Sequence, residues 1–150
     1  MRFILVSPKN RTAYNFRGDL IKRIISCGYE VIVTGPNRVG VEKIEALGAR
    51  FVEIPMNKNG VNPKEDLKYQ KALYELFKKE KPDVIHTSGA EANFHGILAA
   101  KLAGVAHIIG EEIGIPNHSN KAQLIFSFVY RFADFVVGNS QAVLEVVHQV

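Results

Sequence analysis

Three polar segments of the sequence carry side chains that could bind or transform a ligand. Each follows a short apolar run, and the segments are residues 7–17, 87–93 and 111–119. Together they hold amides, hydroxyls, cations and carboxylates, which are the groups that recognise phosphates and sugar hydroxyls. The candidate binding residues are Asn10, Arg11, Tyr14, Asn15, Arg17, Ser88, Glu91, Asn93 and Glu111.

The first of these segments is cationic. Lys9, Arg11 and Arg17 lie close together at the expected start of a helix, where unpaired backbone amides also favour anions. Arginine forks pair well with phosphate oxygens. The alternative is that these are ordinary solvated residues, which are common near helix starts.

Two adjacent carboxylates, Glu111 and Glu112, open the third segment. A carboxylate here could accept hydrogen bonds from sugar hydroxyls or take part in acid–base chemistry. Adjacent residues on extended chain point in opposite directions, so at most one of the two is expected to face a ligand. Such pairs are often simply solvated, and that alternative stays open.

The histidines and the cysteine indicate no metal chemistry. Five histidines and one cysteine show no zinc-ligand spacing, so we expect no metal site. His86 lies inside an apolar strand pattern and is expected to be a hydrogen-bonded structural residue, whereas His95 and His118 are expected at the surface. Cys27 is alone, which excludes an intrachain disulfide and fits a reducing compartment.

Short β-rich runs alternate with helical segments, the pattern of β-α-β units in a parallel sheet. The predicted strands are residues 3–6, 31–34, 50–54, 84–87, 107–110 and 135–137. The alternation predicts a Rossmann-like α/β domain, a doubly wound, mainly parallel six-stranded sheet in the order 3-2-1-4-5-6 with helices on both faces. Its ligand crevice would lie at the carboxyl ends of the first and fourth strands, where the polar segments meet.

Capping residues set the expected helix boundaries. Asn15 is expected to cap the first helix and Gly28 to end it, and Asn62 with Pro63 begins a long helix before Pro82. Further helices are predicted before residue 48, over 91–103, from about 119 and from 139. The apolar residues expected on inward helix faces are Leu20, Ile21, Ile24, Ile25, Val41, Ile44, Leu47, Phe94, Ile97, Leu98, Leu102, Leu124, Ile125, Phe128, Phe132, Val143, Leu144 and Val147.

Particular residues exclude several common functions of this topology. The turn after the first strand contains no glycine and the second strand ends at Thr34 and Gly35, so the dinucleotide-binding fingerprint and its acidic residue are missing. There is no P-loop, no Gly-x-Ser-x-Gly elbow, and no aspartate after the first strand for a phospho-acceptor domain.

Composition indicates one globular domain of 150 residues, with 47% apolar and 23% charged residues and a net charge of +4. This modest positive excess is compatible with an anionic ligand or a membrane surface and gives no support for nucleic-acid binding. The apolar run at residues 3–6 is far too short for a signal peptide or a spanning helix, so a cytoplasmic location is expected.

Four segments have an order and spacing that go beyond generic strand and cap chemistry: residues 15–21, 81–87 (KPDVIHT), 96–105 and 133–140 (ADFVVGNS). Together they resemble the amino-terminal half of a family 4, GT-B-fold glycosyltransferase. The resemblance spans the whole chain.

This resemblance implies a retaining transfer of a sugar from a nucleotide-diphosphate sugar to an acceptor, often in capsule, lipopolysaccharide or glycolipid assembly. It implies that residues 1–150 form the acceptor-side domain and that the donor is held mainly by a carboxyl-terminal domain absent from this chain. No cofactor is then expected in this chain, which alone would be inactive. The implied partners are a sugar or lipid-linked acceptor and the missing domain or a separate catalytic chain.

The sequence departs from the family's pattern at two places. Many members have Gly-Gly in the first turn, near the donor phosphates, where this chain has Arg11, Tyr14 and Asn15. Many also have a histidine after the fifth strand, where this chain has Glu111 and Glu112. Glu112 is therefore the candidate catalytic residue, as an acceptor of hydrogen bonds from donor hydroxyls.

Two other functions stay open. The chain could be a stand-alone binding subunit that recruits a separate catalytic chain, or half of a nucleotide-sugar epimerase, which shares the fold. Peripheral contact with the inner membrane face through the aromatic-rich residues 126–135 also stays open, although Phe128 and Phe132 are expected in the core.

Overall fold

Six strands and six helices follow one another along the chain in the computed structural model, which describes residues 1–57, 62–113, 120–141 and 143. The strands are β1 (Arg2–Val6), β2 (Glu30–Gly35), β3 (Arg50–Glu53), β4 (Val84–Ser88), β5 (His107–Glu112) and β6 (Phe135–Gly138). The helices are α1 (Asn10–Phe16), α2 (Gly18–Ser26), α3 (Val41–Glu45), α4 (Pro63–Glu80), α5 (Ala90–Ala103) and α6 (Asn120–Tyr130).

The strands form one parallel sheet in the order β3-β2-β1-β4-β5-β6, which confirms the predicted topology. β1 pairs with both β2 and β4, and Val6 is in register with Thr34 on one side and with Thr87 on the other. The connections that follow β1 and β4 therefore leave the sheet in opposite directions, and a crevice opens between them at the carboxyl edge.

The core lies in two layers, one on each face of the sheet. Ile4 and Val6 of β1 pack on one face with α4, α5 and α6, whereas Phe3 and Leu5 pack on the other with α1, α2 and α3. This alternation is the period-2 pattern of a strand buried on both sides. Helices on both faces of the sheet are thereby confirmed.

The long helix α4 begins where the sequence predicts. The Asn62 side chain accepts a hydrogen bond from the Glu65 backbone amide at 3.4 Å, and Pro63 occupies the first turn, where its missing N–H costs nothing. Leu73 and Phe77 are buried against the sheet. The helix ends at Lys81, whose φ of 48° is left-handed, directly before Pro82.

The first helix differs from its prediction because the chain forms two helices there. Asn15 lies inside α1 and does not cap a helix, so that prediction was wrong. The break falls at Arg17, whose φ of −119° and ψ of 4° are not helical. In α2, Ile21 is buried as expected, but Leu20 is 38% exposed.

Strands β4 and β5 run further at their carboxyl ends than their apolar patterns indicate. β4 extends to Ser88 and β5 to Glu112, so Ser88, Glu111 and Glu112 are strand residues and not loop residues. Their polar side chains ended the hydrophobic pattern before the backbone pairing ended. His118 lies outside the described residues, so its predicted surface position is untested.

The inward face of α6 is also different from the prediction. Leu124, Ile125 and Phe128 are 72%, 51% and 56% exposed, whereas Val129 is buried and Tyr130 packs against the core. Nearly every residue of 124–130 is apolar, so periodicity alone does not select a face. Leu102, at the end of α5, is likewise exposed, whereas Phe132 packs against the core as expected.

The chain after β6 begins a further helical turn. The Ser140 hydroxyl accepts from the Val143 backbone amide at 3.3 Å, and Val143 is buried, as the capping pattern predicts. Leu144 and Val147 lie outside the described residues. Within the part of the chain that the structure describes, no helix is long and apolar enough to cross a membrane.

Candidate functional site

Polar side chains at the carboxyl ends of β4 and β5 point alternately to the two faces of the sheet. Ser88 is in register with Glu111, one residue beyond the pairing of Thr87 with Gly110. Alternation places Glu111 on the face covered by α1 and α2, and Glu112 on the face covered by α5 and α6. The opposite orientation of the two glutamates is as predicted, but both are buried, so the solvated alternative was wrong.

Arg17, His86 and Glu111 form an ionic cluster on the α1 face. The Arg17 guanidinium pairs with both oxygens of the Glu111 carboxylate, with Nε 3.2 Å from Oε2 and Nη2 bonded to Oε1. His86 Nε2 lies 3.0 Å from Oε2 of the same carboxylate. His86 is thus a buried, hydrogen-bonded residue, as the strand pattern predicts.

The Glu111 carboxylate is held in its ionised form. Burial would raise the pKa of Glu111, but the hydrogen bond with His86 and the positive charge of Arg17 together outweigh it, and the pKa lies below its ordinary value. A buried charge with two partners of this kind has a fixed orientation.

Thr87, Asn93, Glu112 and Tyr130 form a second network on the opposite face. Thr87 Oγ1 donates to Asn93 Oδ1 at 2.7 Å, and Asn93 Nδ2 donates to Glu112 Oε1 at 3.1 Å. The Tyr130 hydroxyl donates to the same Glu112 oxygen. Burial, together with that carboxylate, raises the pKa of Tyr130, so the phenol stays protonated.

Ser88 ends β4 directly below the crevice. Its side chain is 1% exposed, and among the described residues its hydroxyl oxygen has no hydrogen-bond partner. Gly89 follows with a φ of +89°, and a Cβ there would lie 3.3 Å from Pro8 and 3.7 Å from Ile113. The crevice floor therefore accepts only glycine at this turn without strain.

Asn10 and Tyr14 turn away from β4 and β5, towards α3. Asn10 Nδ2 donates to the backbone oxygens of Asn37 at 2.7 Å and Val39 at 2.8 Å. The Lys43 ammonium lies over the Tyr14 ring, 4.9 Å from the centroid of that ring. These two candidates hold the loop between β2 and α3, and their predicted ligand contacts stay predictions.

Three further candidates are exposed near the same edge of the sheet. Arg11 and Asn15 lie on the outer side of α1, and Glu91 lies in the first turn of α5. Their exposure leaves room for a ligand, and their predicted ligand contacts stay predictions.

His95 is not the surface residue that the sequence indicates. Its Nδ1 lies 3.2 Å from Gln70 Oε1, and its ring meets the edges of Tyr69 and Phe94. Burial lowers the pKa of His95, partly opposed by the negative charge of Asp66. This histidine joins α4 to α5.

Tyr130 is the site residue that sequence reasoning missed. It lies in an apolar run that gives no sign of a polar contact, and its partner Glu112 is 18 positions away. The one available signal is the type of residue, because a phenol in a half-buried helix usually finds a hydrogen-bond partner.

The family assignment follows from the sequence of the domain as a whole. The model of Glycosyltransferase Family 4 matches residues 18–150, which is most of the chain. The chain belongs to this family. The resemblance in the four sequence segments is thereby confirmed, and so is the GT-B-type amino-terminal fold.

Two curated relatives share part of this family 4 sequence. The UDP-Gal:alpha-D-GlcNAc-diphosphoundecaprenol alpha-1,3-galactosyltransferase of Escherichia coli is 35% identical over 69 residues, covering 46% of this chain and 18% of the relative. The N,N'-diacetylbacillosaminyl-diphospho-undecaprenol alpha-1,3-N-acetylgalactosaminyltransferase of Campylobacter jejuni is 29% identical over 107 residues, covering 71% of this chain and 28% of the relative. The matches thus span less than a third of either relative.

Solved structures show the same fold in two kinds of enzyme. A UDP-N-acetylglucosamine 2-epimerase superposes with a TM-score of 0.75 at 18% identity, covering 99% of this chain and 44% of that one. A glycosyltransferase from Rickettsia africae superposes with a TM-score of 0.73 at 21% identity, covering 96% of this chain and 38% of that one. At these identities the likeness concerns the fold alone and does not separate transferases from epimerases.

Proposed function

We propose that this chain is the acceptor-side domain of a retaining glycosyltransferase that moves a sugar from a nucleotide-diphosphate sugar to a lipid-linked diphosphate acceptor. The family 4 match over residues 18–150 carries the proposal. The acceptor class is supported by the two curated relatives, whose names both specify a sugar on diphosphoundecaprenol.

The charge at the crevice supports an anionic acceptor. Lys9 is exposed in the turn after β1, Arg11 is exposed in the first turn of α1, and Arg17 directly follows α1. A diphosphate has the oxygens that arginine forks and ammonium groups bind. The acceptor would therefore enter over α1, with its diphosphate against these cations.

The nucleotide-sugar donor is held mainly outside residues 1–150 in this proposal. The described residues contain no group of three histidine, cysteine, aspartate or glutamate side chains placed to hold a metal ion. In this proposal the acceptor side binds its ligand through hydrogen bonds and cationic side chains.

Glu112 is the proposed catalytic residue of this chain. Its carboxylate is held by Asn93 and Tyr130 at the end of β5, next to the crevice. A carboxylate fixed in one orientation can accept a hydrogen bond from a sugar hydroxyl without first losing conformational freedom.

The outer face of α6 is the proposed membrane contact. It consists of Leu124, Ile125 and Phe128, which are all more than half exposed. A lipid-linked acceptor stays in its membrane, so a transferase that acts on it gains from an apolar face that inserts shallowly into the headgroup boundary. The sequence indicated that these three residues would face the core, whereas the structure exposes them.

The epimerase hypothesis remains the second candidate because of the fold likeness to a UDP-N-acetylglucosamine 2-epimerase. The two functions differ in their products. A transferase joins the sugar to a lipid, whereas an epimerase returns a nucleotide sugar with one inverted centre.

The test uses the complete protein that contains this chain. It is incubated with radiolabelled UDP-galactose or UDP-N-acetylglucosamine and with undecaprenyl diphosphate bearing one sugar, and the lipid phase is counted. We expect label in the lipid, with an alpha linkage by NMR. Label that stays in the aqueous phase as an epimer would support the second candidate and refute the first.

A further inference from the structure

Arg17 occupies a break that a continuous helix would not have. α1 ends at Phe16 and α2 begins at Gly18, so a single non-helical residue separates them. The break turns the Arg17 side chain towards the carboxyl ends of β4 and β5, where it reaches Glu111.

The Glu111 carboxylate is fully engaged by protein groups. Oε1 accepts from Arg17 Nη2, and Oε2 accepts from Arg17 Nε and lies 3.0 Å from His86 Nε2. Because both of its oxygens are engaged by Arg17 and His86, Glu111 is poorly placed to bind a sugar hydroxyl directly. Its effect on a ligand must pass through Arg17.

Within the described part of the chain, the Arg17 guanidinium keeps N–H groups that are not bonded to the protein. A guanidinium has five N–H groups. Two are bonded to Glu111 and one, on Nη1, to the Phe16 carbonyl oxygen at 3.2 Å. Nη1 and Nη2 therefore keep one N–H each, and 21% of the Arg17 side chain is exposed.

We propose that Glu111 is a positioning residue: it fixes the Arg17 guanidinium at the crevice so that its two remaining N–H groups bind the oxygens of a diphosphate. His86 contacts the Glu111 carboxylate through Nε2 and helps to fix its orientation. The choice of a diphosphate as the ligand rests on the proposed function, whereas the fixed guanidinium is a property of Arg17, His86 and Glu111.

The negative charge of Glu111 allows its positioning role to be distinguished from a purely electrostatic effect on anion binding. Glu111 carries a negative charge directly beside Arg17, so electrostatics alone predicts that Glu111→Gln tightens anion binding. Positioning predicts the reverse, because glutamine cannot accept from both Nε and Nη2 and the guanidinium loses its fixed orientation.

The test is a calorimetric titration of the full chain with inorganic pyrophosphate, together with NMR of the Arg17 Nε–H signal. We expect pyrophosphate to shift this signal in the wild type. Glu111→Gln should weaken binding by about fivefold or more and Arg17→Lys by about tenfold, since a lost charge-assisted hydrogen bond has this size. Glu75→Gln, which removes an equal charge from an exposed site on α4, should bind like the wild type.

Equal or tighter binding by Glu111→Gln would overturn the proposal, and so would an Arg17 signal that pyrophosphate does not move. If Glu111→Gln does not fold, Arg17→Lys decides, because lysine keeps the charge and loses the fork. Unchanged affinity in Arg17→Lys would then overturn the proposal.

Two further titrations identify the source of the diphosphate. Loss of geranyl diphosphate binding in Arg17→Lys assigns the site to a lipid-linked acceptor, and loss of UDP binding assigns it to the donor; either supports the site. A complete protein without transferase activity whose pyrophosphate binding still depends on Glu111 would refute the proposed function alone. An active transferase whose affinity for pyrophosphate is unchanged by Glu111→Gln would refute this inference alone.

Discussion

Arg17 and Glu111 form an ion pair although 94 positions separate them in the chain. The contact joins the break between α1 and α2 to the end of β5, across the face of the sheet that carries His86. It fixes the two sides of the crevice relative to each other, so its loss should affect both stability and ligand binding.

The ion pair makes stability depend on pH in the acid range. The pKa of Glu111 in the folded protein lies below its ordinary value of 4.5, so the carboxylate stabilises the fold above that pH and the contribution is lost as the pH falls through the folded pKa. Urea unfolding of the wild type and Glu111→Gln should differ by about 1–3 kcal/mol at pH 7. The difference should shrink steadily below about pH 4.5; an equal difference at neutral and strongly acidic pH would contradict this assignment.

The second network should contribute to stability through the Tyr130 hydroxyl. Tyr130→Phe removes one donor to the buried Glu112 carboxylate and should lower the free energy of unfolding by about 1–2 kcal/mol. Tyr29→Phe is the matched control, because Tyr29 is half-buried and its hydroxyl makes no hydrogen bond within the described residues. Equal melting temperatures of the two variants would show that the Tyr130 contact is not stabilising.

Glu112 can be tested as a catalytic residue by kinetics in the complete protein. Glu112→Gln keeps the shape of the side chain and should lower kcat about 100-fold with little change in KM. A thermal melt within a few degrees of the wild type would separate this loss from unfolding. Unchanged kcat would refute the catalytic role and leave Glu112 as part of the buried network.

The two sides of α6 should respond differently to substitution. The double variant Leu124→Ser, Phe128→Ser changes exposed residues and should lower the free energy of unfolding by only about 1 kcal/mol, through the lost Phe128–Phe132 ring contact and the lower helix propensity of serine. Val129→Ala empties a buried position and should lower it by about 2 kcal/mol.

Flotation with vesicles that contain anionic lipid then tests the membrane contact. The wild type and Val129→Ala, assayed below its melting temperature, should float with the vesicles, and the double variant should not. A wild-type protein that stays in the aqueous fractions would refute the proposed contact.

The sheet was predictable because its signals are local. Apolar runs such as residues 3–6 and 84–87 lie between capping residues such as Asn62 and stops such as Gly28, and the alternation of strand and helix fixes the order. The candidate site was predictable only as a region, since the carboxyl edge of a parallel sheet follows from its topology.

The details of the site depend on contacts that no local pattern contains. The break at Arg17 accompanies a bond to Glu111, 94 positions later in the chain, and Tyr130 of α6 bonds to Glu112 at the end of β5. The inward face of α6 was missed for another reason: residues 124–130 are apolar nearly all round, so the position of the sheet decides which of them are buried.

The most direct test of the central claim is calorimetry of this chain with two ligands, a short-chain prenyl diphosphate bearing one sugar and a UDP-sugar. If the chain is the acceptor side of a family 4 glycosyltransferase, the prenyl diphosphate sugar binds and the UDP-sugar does not bind measurably. Tight binding of the UDP-sugar, with none of the prenyl diphosphate sugar, would contradict the account.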